Sequence, residues 1–230
     1  TRVYSVAEAE KFIKANTESL PTIEKKWDFA ENTTATEGEN VPVVSGSAAW
    51  NETNQNIKFN ANVTAPGTLS LKLNPAIGNK ANVNFDLYVG ALGGQTFTYE
   101  INDSEGTNLV NCSFNVYNGT GSMVIGSEEI AVDSDVTSAV SKVSGDGMSS
   151  SVTQVSNEIN FTTNTVTVNI GSKSFTGKLT GAETGLISDI SFKSERSKKA
   201  DRSIYLDNLV VREYEADSSD TDETAFPKFK

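Results

Sequence analysis

Asn84, Asp86 and Tyr88 alternate with Val83, Phe85, Leu87 and Val89 along one run of the chain. Alternation at period two puts the amide, the carboxylate and the ring on one face of a β-strand and the apolar residues on the other. An amide and a carboxylate exchange hydrogen bonds with sugar hydroxyls, and a flat ring stacks on the C–H face of a pyranose. Asn60 and Asn62, and then Asn115 with Tyr117, repeat that chemistry on two further strands, while Trp50 follows Gly46 in a loop. Each residue also has a plainer reading, since asparagine favours turns and an aromatic ring often covers a sheet edge or joins the core. Taken as a set, Tyr88, Tyr117, Asn84, Asp86, Asn115, Asn60 and Trp50 make one candidate glycan surface, expected on a single sheet face.

A second candidate lies in Ser203-Ile204-Tyr205-Leu206-Asp207-Asn208-Leu209-Val210-Val211-Arg212. The stretch is apolar and β-branched apart from Asp207-Asn208, and a polar pair in a core-like strand needs a partner, water or a metal ion. The sequence predicts that Asp207 faces the sandwich interior.

Other chemistries are excluded by what the chain lacks. With no histidine and one cysteine, there is no Ser-His-Asp triad, no Cys-His pair, no His-ligated metal and no thiolate cluster. Cys112 lies in the alternating run Val110, Cys112, Phe114, Val116 and reads as a buried structural thiol. A carboxylate-pair glycoside hydrolase or lyase stays open as the lesser alternative. The nearest look-alike of a sandwich-glucanase acid strand, Glu158-Ile159-Asn160, lacks the second acid, so no enzyme is expected. A net charge of −11 offers nothing to phosphates, which argues against nucleic acid and anionic membranes. No apolar run reaches the ~20 residues needed to span a bilayer. The chain opens at Thr1 without Met or an apolar signal segment, as a processed product would.

The elements that must position these groups are mostly strands. Period-two runs recur at Ile57–Val63, Leu69–Leu73, Val83–Val89, Phe97–Ile101, Val110–Val116, Ile159–Phe161, Val166–Ile170 and Ile190–Phe192. Turn signals separate them, among them Pro66-Gly67, Gly93-Gly94, Asn118-Gly119 and Gly171-Ser172. The spacing predicts an all-β fold, an antiparallel β-sandwich of jelly-roll type, with one short N-terminal helix. That helix opens on the capping box Ser5-Val6-Ala7-Glu8 and closes at Leu20-Pro21, and either packs on the sandwich through Val6, Ala9, Phe12 and Ile13 or is left over from a neighbouring module. Residues 1–26 are thus read as helix and linker, 27–213 as the sandwich and 214–230 as an acidic linker or tail. Asp133 to Ser151 reads as a long loop with one helical turn, and Ser194 to Asp201 as a basic hairpin tip.

Three segments together, Trp27-Asp28-Phe29-Ala30-Glu31, Asn82 to Val89 and Ile204 to Val211, resemble the jelly-roll carbohydrate-binding modules of bacterial multimodular, including cellulosomal, polysaccharide-degrading proteins. The resemblance covers residues 27 to 212. It implies a structural Ca²⁺ held by Asp207 with help from Asp28 or Glu31, although Asp207-Asn208 stands where the family often has two acids. It also implies a non-catalytic module that binds polysaccharide, for which the negative charge favours a neutral β-glucan or xyloglucan of the plant cell wall. A monomer covalently linked to neighbouring modules and an extracellular, bacterial location complete that expectation. The alternative is a structural or adhesive sandwich of an extracellular scaffold that binds protein, which a flat apolar patch at a sheet edge would favour.

Overall fold

The computed structural model describes Val6 and residues 20–60, 65–90, 94–115, 117–130, 133–140, 142–143, 152–196 and 203–216. In chain order the strands begin with β1 (Ile23–Trp27), β2 (Val43–Gly46), β3 (Ala48–Asn51), β4 (Asn56–Phe59), β5 (Gly67–Ile77) and β6 (Lys80–Gly90). There follow β7 (Gln95–Asp103), β8 (Asn108–Asn115), β9 (Thr120–Ile125), β10 (Glu128–Ile130), the helix α1 (Asp133–Ala139) and β11 (Lys142–Val143). The last five strands are β12 (Thr153–Asn160), β13 (Thr165–Ile170), β14 (Lys173–Lys178), β15 (Ile187–Arg196) and β16 (Ile204–Tyr214).

They form two sheets. A nine-stranded sheet runs β14-β13-β12-β6-β16-β4-β3, with β1 also on β16 and β11 on β6, and a seven-stranded sheet runs β10-β9-β8-β7-β15-β5-β2. Pairing is antiparallel between these strands except for β11 on β6. The expected all-β antiparallel sandwich is therefore present.

The reason is the alternation itself. Val83, Phe85, Leu87 and Val89 of β6 are buried, as are Phe97, Tyr99 and Ile101 of β7 and Phe192 of β15, so each sheet turns one apolar row inward. Phe85 lies edge-on to Tyr99 and Phe192 across the interior, with ring centroids 5.1 and 4.9 Å away. Edge-to-face contacts of this kind add about 0.5–1.5 kcal/mol beyond burial and lock β6 in rotation. Asn84, Asp86 and Tyr88 are thereby held on its outer side. Where the chain passes from β2 in one sheet to β3 in the other, Gly46 adopts φ +65°, and a Cβ there would lie 1.8 Å from the Pro66 carbonyl oxygen. Only glycine fits that crossing.

Several expectations move. The predicted N-terminal helix lies outside the described residues apart from Val6, which is 75% exposed and so does not pack on the sandwich. β1 starts at Ile23, inside the stretch read as linker, and β16 runs to Tyr214, one residue into the stretch read as tail. Both extensions come from pairing, because Ile23 to Trp27 lie against Glu213 to Leu209. The tail beyond 216, the basic tip beyond Arg196 and Asn62 lie outside the described residues. In the Asp133 to Ser151 stretch the helical turn is α1, with Val136, Ala139 and Val140 buried. Cys112 is fully buried, and burial pushes its thiol up to about 12.

Candidate functional site

The outer face of the nine-stranded sheet is built around β6 and its neighbours. Asp86 of β6 lies opposite Gln154 of β12, Asn84 opposite Ser156, and Asn82 opposite Glu158. On the other side Tyr88 lies opposite Tyr205 of β16 and Asp86 opposite Asp207. Asn84, Asp86, Gln154, Ser156 and Asn208, with Phe85 and Val155, line a shallow cavity of about 180 Å³. Tyr88 stands one alternate position beyond Asp86, half-buried, and Tyr205 beside it is buried with the Lys58 ammonium 5.7 Å from its ring centre. The side-chain oxygens of Asn82 and Asn84 are shielded from solvent yet accept no hydrogen bond.

A break in β16 shapes one end of this face. Pairing with β6 shifts register between Asp207 and Val210, and Asn208 adopts φ 49°. Such a bulge re-aims side chains and interrupts the ladder. It falls where β16 changes partner: Ile204 to Leu206 pair with β4, while Leu209 to Glu213 pair with β1. Asn208 N–H donates to Asp207 Oδ1 at 2.8 Å, and Asn208 Nδ2 donates to Asp86 Oδ2 at 2.9 Å. Asp207 is half-buried on the outer side, opposite Asp86, and does not face the interior as expected. The two consecutive polar residues are accommodated by the bulge.

The electrostatics of this corner are unbalanced. Burial raises the Asp207 carboxyl to about 6, the Asn208 N–H opposes that rise, and the carboxylates of Asp86 and Asp28 add to it. Burial, with the same Asp86 and Asp207 charges, also holds the Tyr88 hydroxyl above its usual range. Asp28 is exposed and accepts the Ala30 N–H at 3.1 Å. Glu31 is exposed, and it is Asp86 that joins Asp207 and Asp28. The oxygen donors of Asp207 and Asp28 suit a hard cation, yet among the described residues no group of three or more His, Cys, Asp or Glu is gathered closely enough to hold a metal ion.

The expected single face is not what the fold makes. Asn84, Asp86 and Tyr88 lie on the nine-stranded sheet, whereas Asn115 ends β8 of the seven-stranded sheet, with Tyr117 in the hairpin after it. Asn115 is buried and organises that hairpin: its Nδ2 donates to Thr96 Oγ1 at 3.2 Å and its Oδ1 accepts the Asn118 N–H at 3.0 Å. Tyr117 is 54% exposed. Asn60 follows β4, its N–H on the Ser47 carbonyl. Trp50 lies in β3, packed against the core, and its indole N–H donates to the Phe29 carbonyl at 2.9 Å. Trp50 thus pins the opening segment. Asn82, Gln154 and Ser156 join the face without having been singled out; the outward phase of β6 could have named Asn82, but only the β6–β12 register brings in the other two.

No protein-family model matches the chain, and no curated protein sequence does. Solved structures do match. A Bacillus subtilis protein of unknown function with a galectin-like fold aligns at TM-score 0.53 and 8% identity, over 87% of this chain and 99% of that one. The CBM2 module of the evolved Dit of Lactobacillus casei BL23 phage J-1 aligns at TM-score 0.52 and 11% identity, over 86% and 93%. Lectin II from Ulex europaeus aligns at TM-score 0.51 and 12% identity, over 84% and 99%. A sialidase chain matches at TM-score 0.46 and 13% identity, with 68% of this chain spanning 15% of that one. At such identities the shared feature is the β-sandwich fold.

Proposed function

We propose that this chain is a non-catalytic carbohydrate-binding domain whose site is the outer face of β6 and β12. The observation that carries the reading is the row Asn82, Asn84, Asp86 and Tyr88, flanked by Gln154, Ser156 and Asn208. It offers amides, a hydroxyl and a carboxylate to sugar hydroxyls, with a ring at one end, on a rigid sheet. An unpaired shielded oxygen costs about 1–3 kcal/mol, and a ligand hydroxyl that displaces the flanking side chains would supply the missing donor to Asn82 or Asn84. The sandwich fold shared with a lectin and a carbohydrate-binding module supports the same reading.

The ligand we favour is a neutral chain such as a β-glucan or xyloglucan. A chain at −11 with Asp86 in the site and Asp28 and Asp207 beside it repels uronates. An extracellular bacterial setting, with neighbouring modules that this domain targets to the plant cell wall, belongs to the same proposal. An open face supports a Kd in the micromolar range or weaker, about −6 to −8 kcal/mol. Affinity electrophoresis against soluble polysaccharides tests it. Tyr88→Ala and Asn84→Ala should each weaken retardation about tenfold, roughly 1.4 kcal/mol, while the melting curve stays in place. Retention by no glycan would refute the proposal and move the protein-binding scaffold ahead.

A further inference from the structure

The second face of the sandwich carries its own cavity. Packed sheets lie ~10 Å apart and turn their outer faces in opposite directions, so one straight chain does not lie along both. On the seven-stranded sheet, Thr96, Ser113, Asn115, Thr120 and Ser122, over Phe114 and Gly121, line a depression of about 240 Å³. Its geometry follows from register: Asn115 lies opposite Thr120 and Ser113 opposite Ser122, next to Thr98. The Thr98 and Ser113 hydroxyls pair at 3.0 Å and Asn115 Nδ2 reaches Thr96, which fixes the floor, while Thr120 and Ser122 stand exposed at the rim. Two residues past Asn115, Tyr117 is 54% exposed.

Among the described residues, no ionisable side chain lines this depression. On a chain at −11 that composition suits neither a phosphate nor a metal ion, and it does suit an uncharged polyol whose hydroxyls exchange hydrogen bonds with Ser, Thr and amide groups. An exposed tyrosine ring adds a stacking surface of large area and low entropy cost. We propose that the outer face of the seven-stranded sheet bears a second glycan-binding site between Tyr117 and Ser122, and that the chain is bivalent. The ligand class rests on the reading above; the site does not depend on β6. A bivalent domain bridges two polysaccharide strands or holds one long coil at two points, and gains avidity of about a hundredfold or more on polymers.

Calorimetry with cellohexaose and xyloglucan heptasaccharide, together with turbidity of a long soluble β-glucan, tests this on the whole chain. The expected result is two sites per chain and polymer cross-linking. Ser122→Arg fills the depression from an exposed position, and should leave one site and abolish cross-linking; Tyr88→Ala should remove the other site. Tyr117→Ala should weaken the second site about tenfold or more. One site per chain, lost in Tyr88→Ala and untouched by Ser122→Arg and Tyr117→Ala, overturns the second site and leaves the first. One site lost only in Ser122→Arg overturns bivalence and the β6 reading together. Binding of neither oligosaccharide overturns both.

Discussion

Replacing Asp207 by Asn should stabilise the protein at neutral pH when no divalent cation is present. The carboxyl is raised from 3.8 to about 6 by burial and by the Asp86 and Asp28 carboxylates. A raised carboxyl means that the folded state holds the proton more tightly than the unfolded chain does. The contribution of Asp207 to stability is therefore greatest below pH ~4, falls between ~4 and ~6, and stays lower above that window. Two units at 1.36 kcal/mol each set a ceiling of about 3 kcal/mol. Asp207 is half-exposed, and solvent screening reduces that to about 1 kcal/mol. For a chain of this size 1 kcal/mol is roughly 2–4 °C in Tm. The substitution keeps the local bond, because an Asn oxygen can accept the Asn208 N–H as Asp207 Oδ1 does. Thermal melts from pH 4 to 8 in EDTA should show equal Tm values for the two proteins at pH 4. They should then diverge in favour of Asp207→Asn by a few degrees at pH 7.5. A variant that melts below the parent at pH 7.5 in EDTA would refute the argument, since the carboxylate would then be contributing stability.

Calcium gives the complementary prediction. If Asp207, helped by Asp28 or Glu31, holds Ca²⁺ as the resemblance implies, millimolar Ca²⁺ should raise the parent's Tm by mass action and leave Asp207→Asn unmoved; identical parent melts in Ca²⁺ and EDTA would remove the metal from the account. In the interior, the Tyr99 hydroxyl donates to Asn157 Oδ1 at 2.9 Å, and Asn157 Nδ2 donates to the Val83 carbonyl at 3.0 Å. Tyr99→Phe strands a buried acceptor and should cost about 1–3 kcal/mol by urea unfolding; a loss under 0.5 kcal/mol would mean that the Asn157 amide finds another donor.

What the sequence showed plainly was phase, and what it concealed was partnership. Alternation named the inward rows correctly at Leu69 to Leu73, Val83 to Val89, Phe97 to Ile101 and Val166 to Ile170, all buried. A half-buried strand needs only one apolar face, whichever sheet it joins. Phase therefore put Asn84 and Tyr88 outward, and Asn115 with Tyr117 in outward phase too, without saying that β6 and β8 belong to different sheets. The successive strands β6 and β7 already sit on opposite sheets, so order along the chain was no guide. Asn157 was invisible for another reason. Its inward amide makes sense only once Tyr99 arrives from the facing sheet.

The Asp207-Asn208 pair shows how register turns a sequence irregularity into a site. In a continuous ladder the two residues would point to opposite faces, one of them into the core at several kcal/mol for an unpaired polar group. The β16 bulge avoids that cost. It keeps Leu206 and Leu209 both buried and leaves Asp207 and Asn208 on the outer side, where Asn208 reaches Asp86. The bulge coincides with the change of partner from β4 to β1, where an interrupted ladder disturbs fewest hydrogen bonds. Because β1 ends at Trp27, the same junction delivers Asp28 to the corner, and the Trp50 N–H on the Phe29 carbonyl holds it there. Backbone register thus brings Asp28 and Asp86 near enough for their charges to raise the Asp207 carboxyl, with Trp50 tethering the segment that carries Asp28. Under the glycan-binding reading proposed above, the shared field of these carboxylates favours a neutral over an anionic chain at this face.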